Sequence, residues 1–314
     1  MVTATDRWAG LFGAGPVVVD GGLSTQLASH GAGMPGRLWT ARALLDDPEA
    51  VARAHAAFVE AGATVVITAS YQVSRQGFRA EGLAPSQADA ALAASVAVAR
   101  RAADRGGPGE APVRVAASVG PYGAVRHDGS EYRGRYGLAH EDLVDFHRPR
   151  LEVLAASSPD LFAVETIPDV DEARAIVEAL EAVPGVPAWM TFSAADEART
   201  CAGQPIEEAV RVAAGSPSIV AVGINCTDPR HVLALVARVR AACDLPVVVY
   251  PNAGGRWDAA TGAWSGEVAQ GGVFADDLVL RWRTAGATAI GGCCGTDDRS
   301  IRQVARVLAG TAPG

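Results

Sequence analysis

The sequence predicts an α/β fold of the (β/α)8 TIM-barrel type, on three observations. Eight short runs rich in β-branched and apolar residues recur along the chain, longer segments of helical character separate them, and several of the runs end in polar or glycine residues. Continuously apolar strands belong to a parallel sheet buried on both faces, and eight strand–helix units are the number that closes a barrel. An open doubly wound sheet is the alternative reading of the same alternation.

In order, the strands are expected at VVVDGG (17–22), TVVITAS (64–70), VRVAASVG (113–120), LFAVETI (161–167), PAWMTFS (187–193), IVAVGINC (219–226), LPVVVYPNA (245–253) and ATAIGGCC (287–294). The helical segments include 48–62, 87–106, 171–183, 228–243 and 274–286. Several open with Asp or Pro and close at Gly, as helix caps do. No linker or low-complexity segment divides the chain, so one domain over 1–314 is expected, with GGPG (106–109) as a loop.

Composition narrows the function. The 314 residues are 49% apolar and 20% charged, which is ordinary for a globular protein, and the net charge of −8 argues against nucleic acid as a partner. The start, MVTATDRWAGLFGAG, has no basic region followed by an apolar stretch, and no apolar run approaches the roughly 18 residues of a membrane span, so a cytoplasmic protein without a membrane partner is expected. Five cysteines are odd in number and sparse, which fits free thiols or metal ligands rather than a disulfide framework. Oligomeric state is left open.

In a barrel, chemistry sits where the strands end. Strand 1 ends in Asp20-Gly21-Gly22, strand 4 in Glu165-Thr166, strand 6 in Asn225-Cys226, strand 7 in Tyr250-Pro251-Asn252 and strand 8 in Cys293-Cys294. Neighbouring strand residues face opposite ways, so the two adjacent cysteines can address one point only if the chain turns there, as Gly291, Gly292 and Gly295 permit. A vicinal disulfide is disfavoured, because adjacent Cα atoms lie about 3.8 Å apart while unstrained bridges need roughly 4.4–6.8 Å. Plain burial suffices for Cys201 and Cys243 but leaves Gly-Gly-Cys-Cys-Gly unexplained.

Cys226, Cys293 and Cys294 together offer three soft thiolates to one ion with a fourth position open, the pattern of catalytic Zn2+. Three thiolates leave such a centre formally −1, ill-suited to activating water but able to deprotonate an incoming thiol. Alkyl transfer to sulfur fits that charge better than hydrolysis. A positively charged electrophile would be drawn to it.

The stretches DGGLSTQL (20–27), TASYQ (68–72), SVGPYGA (118–124), GSEYRGRYG (129–137), ETIPD (165–169), GINCTDP (223–229), VVYPNAGGRWD (248–258) and GGCC (291–294) together resemble the homocysteine S-methyltransferases. The resemblance runs in order from residue 17 to about 300. It implies a zinc-dependent barrel that methylates homocysteine to methionine, with Cys226, Cys293 and Cys294 as both metal ligands and, through zinc, the catalytic set. It implies also that Asp20, the amides of Gly21 and Gly22, Glu165 and Asn225 bind homocysteine, and that Trp39 and Tyr71 sit near the methyl donor. Carboxylates suit an ammonium, free amides suit a carboxylate, and aromatic faces attract onium cations. Asp20 also reads as a helix N-cap, Glu165 as a barrel salt bridge, and the aromatics as core.

Two departures from the family pattern are Gly295, where many relatives carry a basic residue, and NAGGRW in place of the more usual Asn-Ser-Gly-Glu. The chain stops soon after its eighth helix, without the extension of betaine-dependent relatives or the folate and cobalamin domains of methionine synthase. The resemblance therefore favours S-methylmethionine as donor and S-adenosylmethionine second. Selenium analogues of homocysteine are left open as acceptors.

Other signals carry less. GAGMPG (31–36) satisfies G-x-G-x-x-G but neither follows a strand directly nor opens a convincing helix, so it reads as a loop. The six histidines form no HExxH or H-x-H pair. The run 126–137 is charged and Gly-rich, the mark of a solvated loop, and in a barrel it is also long enough to close over a pocket as a lid. A lyase or aldolase barrel using a Schiff base is excluded because the chain has no lysine, and a thiol redox sensor or zinc store is the non-enzymatic alternative.

Overall fold

The computed structural model describes residues 3–13, 15–31, 39–108, 112–258, 263–268 and 274–310. Helix α1 (Ala4–Phe12) precedes β1 (Val17–Val18), which leads through α2 (Leu23–Ser29) and α3 (Trp39–Asp46) to α4 (Pro48–Glu60). Strand β2 (Val65–Ile67) is followed by α5 (Arg75–Ala80) and α6 (Pro85–Ala103), and β3 (Arg114–Val119) by α7 (Gly123–Arg126) and α8 (His140–Ala156). Next come β4 (Leu161–Ile167), α9 (Val170–Leu180), β5 (Ala188–Phe192), α10 (Ile206–Ala214), β6 (Ile219–Asn225) and α11 (Pro229–Ala242). After β7 (Val247–Tyr250), an antiparallel hairpin of β8 (Gly254–Asp258) and β9 (Ala263–Val268) intervenes before α12 (Asp276–Thr284), β10 (Ala287–Ile290) and α13 (Asp298–Ala309).

The parallel strands run β1-β10-β7-β6-β5-β4-β3-β2, and a parallel bridge between Val19 and Val65 returns β2 to β1. That bridge is what makes the sheet a barrel rather than an open sheet. All eight runs expected as strands form strands, several of them shorter than the run. Asp20–Gly22 and Gly291–Cys294 lie beyond the regular strands, although Asp20 and Gly291 still donate backbone N–H groups to Val65 O and Val249 O as the chain leaves for the strand-to-helix turns.

Period-two alternation sorts the strand residues into two cores. Leu161, Ala163, Trp189, Ala221, Val248, Tyr250 and Ala289 fill the interior, while Phe162, Val164, Met190, Phe192, Val222, Val249 and Ile290 pack outward under the helices. The inward series continues upward into polar residues: Ser118 after Ala116, Glu165 after Ala163, Thr191 after Trp189, Asn225 two steps beyond Gly223. The barrel's top layer is therefore polar and buried, and it becomes the floor of the site.

Helix starts follow the expected capping chemistry. Asp47, Asp169, Asp228 and Asp297 each accept a backbone N–H of the first turn of α4, α9, α11 and α13. At the opposite end of the barrel, α1 closes the bottom: Arg7 donates to the Pro217 carbonyl below β6, Arg114 at the start of β3 donates to the Leu11 carbonyl at 2.9 Å, and Trp8 is buried in the interior cluster. Because this face carries stability rather than chemistry, Trp8→Ala should cost about 3–5 kcal/mol. Urea denaturation would measure that loss, with metal content unchanged.

Candidate active site

The last turns of three adjacent strands assemble the thiols. Backbone at the end of β7 holds both cysteine segments: Cys226 N–H donates to Tyr250 O at 3.1 Å, Cys293 N–H to Pro251 O at 2.8 Å, and Ala253 N–H to Cys294 O at 2.9 Å. Cys226 adopts a left-handed conformation (φ 45°), which turns its side chain out of the β6 alternation. Gly22 approaches so closely that a Cβ there would lie 2.5 Å from the Cys293 carbonyl oxygen, so only glycine fits.

The result is that the Sγ atoms of Cys226, Cys293 and Cys294 all lie within 4.8 Å of one another, with 3.6 Å between Cys226 and Cys294. Two thiolates about 2.3 Å from one tetrahedral Zn2+ would be roughly 3.8 Å apart. The three sulfurs thus fit a single ion, and they are unbridged. Hydrogen bonds from Cys226 and then Cys293 draw the Cys294 thiol well below its ordinary range. The Tyr132 hydroxyl lies 3.1 Å from Cys226 Sγ.

Beside the thiols is a cavity of about 120 Å3. Asp20, Gly21, Gly22, Tyr71, Glu165 and the three cysteines line it, together with Gln72, Glu131, Tyr132 and Tyr250. None of its described lining residues is Arg or His. Burial pushes Asp20 well above the ordinary carboxylate range, with the nearby Glu165 adding repulsion, although its Oδ2 accepts the Ile67 N–H at 2.8 Å. Burial likewise raises Glu165 and Glu131 to about 7 each. Ser118 and Tyr250 bind the Glu165 carboxylate without supplying a positive charge. Three carboxyls and three thiols in one cation-free pocket suit a positively charged ligand.

Two of the expected substrate contacts are placed differently. The Gly22 N–H is already donated to Thr296, 3.1 Å from its carbonyl oxygen, and so is not free for a carboxylate. Asn225 is fully buried below the cavity: its Oδ1 accepts from Thr166 N at 2.7 Å and from Thr191 Oγ1 at 2.8 Å, and its Nδ2 donates to Thr166 Oγ1 at 2.7 Å. It holds the irregular end of β4, where Thr166 has a φ of 61° and the register with β5 shifts, and so aims Glu165. Tyr71 is fixed from behind by Arg150, which donates to its carbonyl at 2.9 Å. The Trp39 side chain and residues 32–36 of GAGMPG lie outside the described residues.

Neither Glu131 nor Tyr132 stands out in the sequence, where 126–137 has the composition of a solvated loop and the length of a lid. Its charged Arg126, Asp128 and Arg133 are exposed, but a short 3-10 turn at Ser130–Tyr132 buries Glu131 and carries it with Tyr132 into the pocket wall. The available signal was a Glu-Tyr pair bracketed by glycines, two of which, Gly129 and Gly134, have positive φ.

Fold and site together define a (β/α)8 barrel with a three-thiol centre at its C-terminal rim. The homocysteine S-methyltransferase family profile matches residues 17–308. The chain is 43% identical to homocysteine S-methyltransferase 4 of Zea mays, over 94% of this chain and 90% of that one. It is 39% identical to selenocysteine Se-methyltransferase of Brassica oleracea var. italica, over 94% and 89%. It superposes on the metallated form of the homocysteine methyltransferase MmuM from Escherichia coli with a TM-score of 0.82 and 37% identity, covering 93% of this chain and 96% of that one. The chain belongs to the homocysteine S-methyltransferase family.

The raised Glu165 carboxyl has a consequence for stability. Its pKa rises from an ordinary 4.5 to about 7 on folding, so the native state holds the extra proton between those values and stability falls as pH rises through that window. In metal- and ligand-free protein, Glu165→Gln should be more stable than the parent at pH 8 by on the order of 2–3 kcal/mol, with the gap closing near pH 5. Thermal melting at the two pH values would check this.

Proposed function

We propose that this chain transfers a methyl group from an onium donor to the thiol of L-homocysteine, giving methionine, with Zn2+ on Cys226, Cys293 and Cys294. S-methylmethionine is the favoured donor and S-adenosylmethionine the second. The observation that carries this reading is the three-thiol cluster opening into a pocket lined by carboxylates and, among the described residues, by no basic side chain. Family membership supports the acceptor and the reaction class.

Zn2+ on these sulfurs would supply the acidity that makes a bound thiol a thiolate at neutral pH. The chain's own residues do the rest. Asp20 and Glu165 offer carboxylates to the homocysteine ammonium, which relieves the cost of burying them. Ser118, Tyr250 and the Asn225–Thr166 pair keep Glu165 in place. Tyr71 and Tyr132 present aromatic surface to a sulfonium.

In the reaction the homocysteine thiol loses its proton to solvent and its sulfur attacks the donor methyl in line. A new carbon–sulfur bond forms as the donor's bond to that methyl breaks, and the electron pair stays on the donor sulfur, which leaves as a neutral thioether. No covalent enzyme intermediate is needed. Changing Cys226, Cys293 or Cys294 to Ala should remove zinc and lower methionine formation by on the order of 10³-fold or more. Elemental analysis and a methionine assay with each donor test it, and a metal-free triple variant that still made methionine would overturn it.

A further inference from the structure

Two buried acceptors in the pocket have no donor among the described residues. Gln72 Oε1 and Glu131 Oε2 are both without a hydrogen-bond partner, in side chains only 2% and 5% exposed, and both residues line the cavity. The orientation of the Gln72 amide is set by Ala124, whose carbonyl oxygen only the NH2 end can meet, at 3.3 Å. The Glu131 backbone is packed against Gly123, where a Cβ would lie 2.8 Å from Glu131 Cα, and Ser130 Oγ donates to Gly123 O at 3.4 Å. The Gly123–Ala124 dipeptide therefore touches both residues, the Gln72 amide through its NH2 end and Glu131 through its backbone, and both line the one cavity.

A carboxylate and a carbonyl with nothing to accept call for a ligand group rich in N–H donors, and a primary ammonium has three. A trimethylammonium or dimethylsulfonium group has charge but no N–H, and would leave the Gln72 oxygen unpaired. Asp20 and Glu165 already form a separate carboxylate pair for the acceptor's amine. Resting on the function proposed above, we infer that Gln72 and Glu131 bind the α-ammonium of an amino-acid sulfonium donor. They select such donors over onium compounds that lack an amine.

The probes are S-methylmethionine and (2-carboxyethyl)dimethylsulfonium, which keeps the dimethylsulfonium and carboxylate but has no amine. The wild-type enzyme should prefer S-methylmethionine by about 100-fold or more in kcat/KM. Glu131→Gln should reduce that preference at least about tenfold through the KM for S-methylmethionine, with the KM for homocysteine within about twofold and zinc content unchanged. Gln72→Met, close in size but without the acceptor, should shift the ratio the same way by a smaller factor. Calorimetric binding of S-methylmethionine to each variant gives the same comparison independently of turnover. A variant that raises the homocysteine KM instead, or weakens both donors equally, overturns the inference while leaving the proposed function standing. A wild-type enzyme that makes no methionine from either probe or from S-adenosylmethionine overturns the proposed function, and this inference with it.

Discussion

The end of β7 is bonded on one side to Cys226 and on the other to Cys293 and Cys294, through main-chain hydrogen bonds of 2.8–3.1 Å. Side-chain rotamers alone could not hold three sulfurs together, because the cysteines come from strands separated by a third. Barrel closure fixes the order β6-β7-β10, and the peptide groups just beyond Val249 then set where each cysteine leaves its strand. The left-handed turn at Cys226 and the glycine at position 22 are local conditions for that arrangement. Strain and close packing of this kind persist only where surrounding structure enforces them.

Electrostatics follow from where the thiols sit. The same inward alternation that fills the barrel with Leu161, Ala163 and Trp189 ends in Glu165 and Thr191, so the floor of the site is polar and buried. Ser118, Tyr250 and Ile67 meet the carboxylates with neutral donors, and none of the described residues lining the pocket is basic. Buried carboxyls without a cation are costly. A ligand that brings an ammonium or sulfonium removes that cost, which couples substrate binding to the charge the protein leaves uncompensated.

Much of this was legible in the sequence because repeated β-branched runs and Asp or Pro helix starts are local signals. The eight strands, the caps at Asp47 and Asp228, and the glycine-flanked Cys293-Cys294 pair are of that kind. Helix α8 was less visible, since it contains Pro149 and a weak apolar pattern, and the β8–β9 hairpin follows a strand whose own signal runs into it. The resemblance implied a substrate contact for Asn225, yet its amide is engaged by Thr166 and Thr191, contacts made across 59 and 34 positions of chain. Glu131 sits in a run whose composition is that of a solvated loop. Only the tertiary packing of Ser130 on Gly123 shows that its side chain is buried.

If Cys226, Cys293 and Cys294 hold one metal ion, a fourth place on it is left for the substrate's sulfur. X-ray absorption at the zinc edge reads the number of sulfur neighbours directly. Three are expected in the resting enzyme, rising to four when homocysteine is added without a methyl donor. A resting count below three, or a count that homocysteine leaves unchanged, would contradict the three-sulfur site.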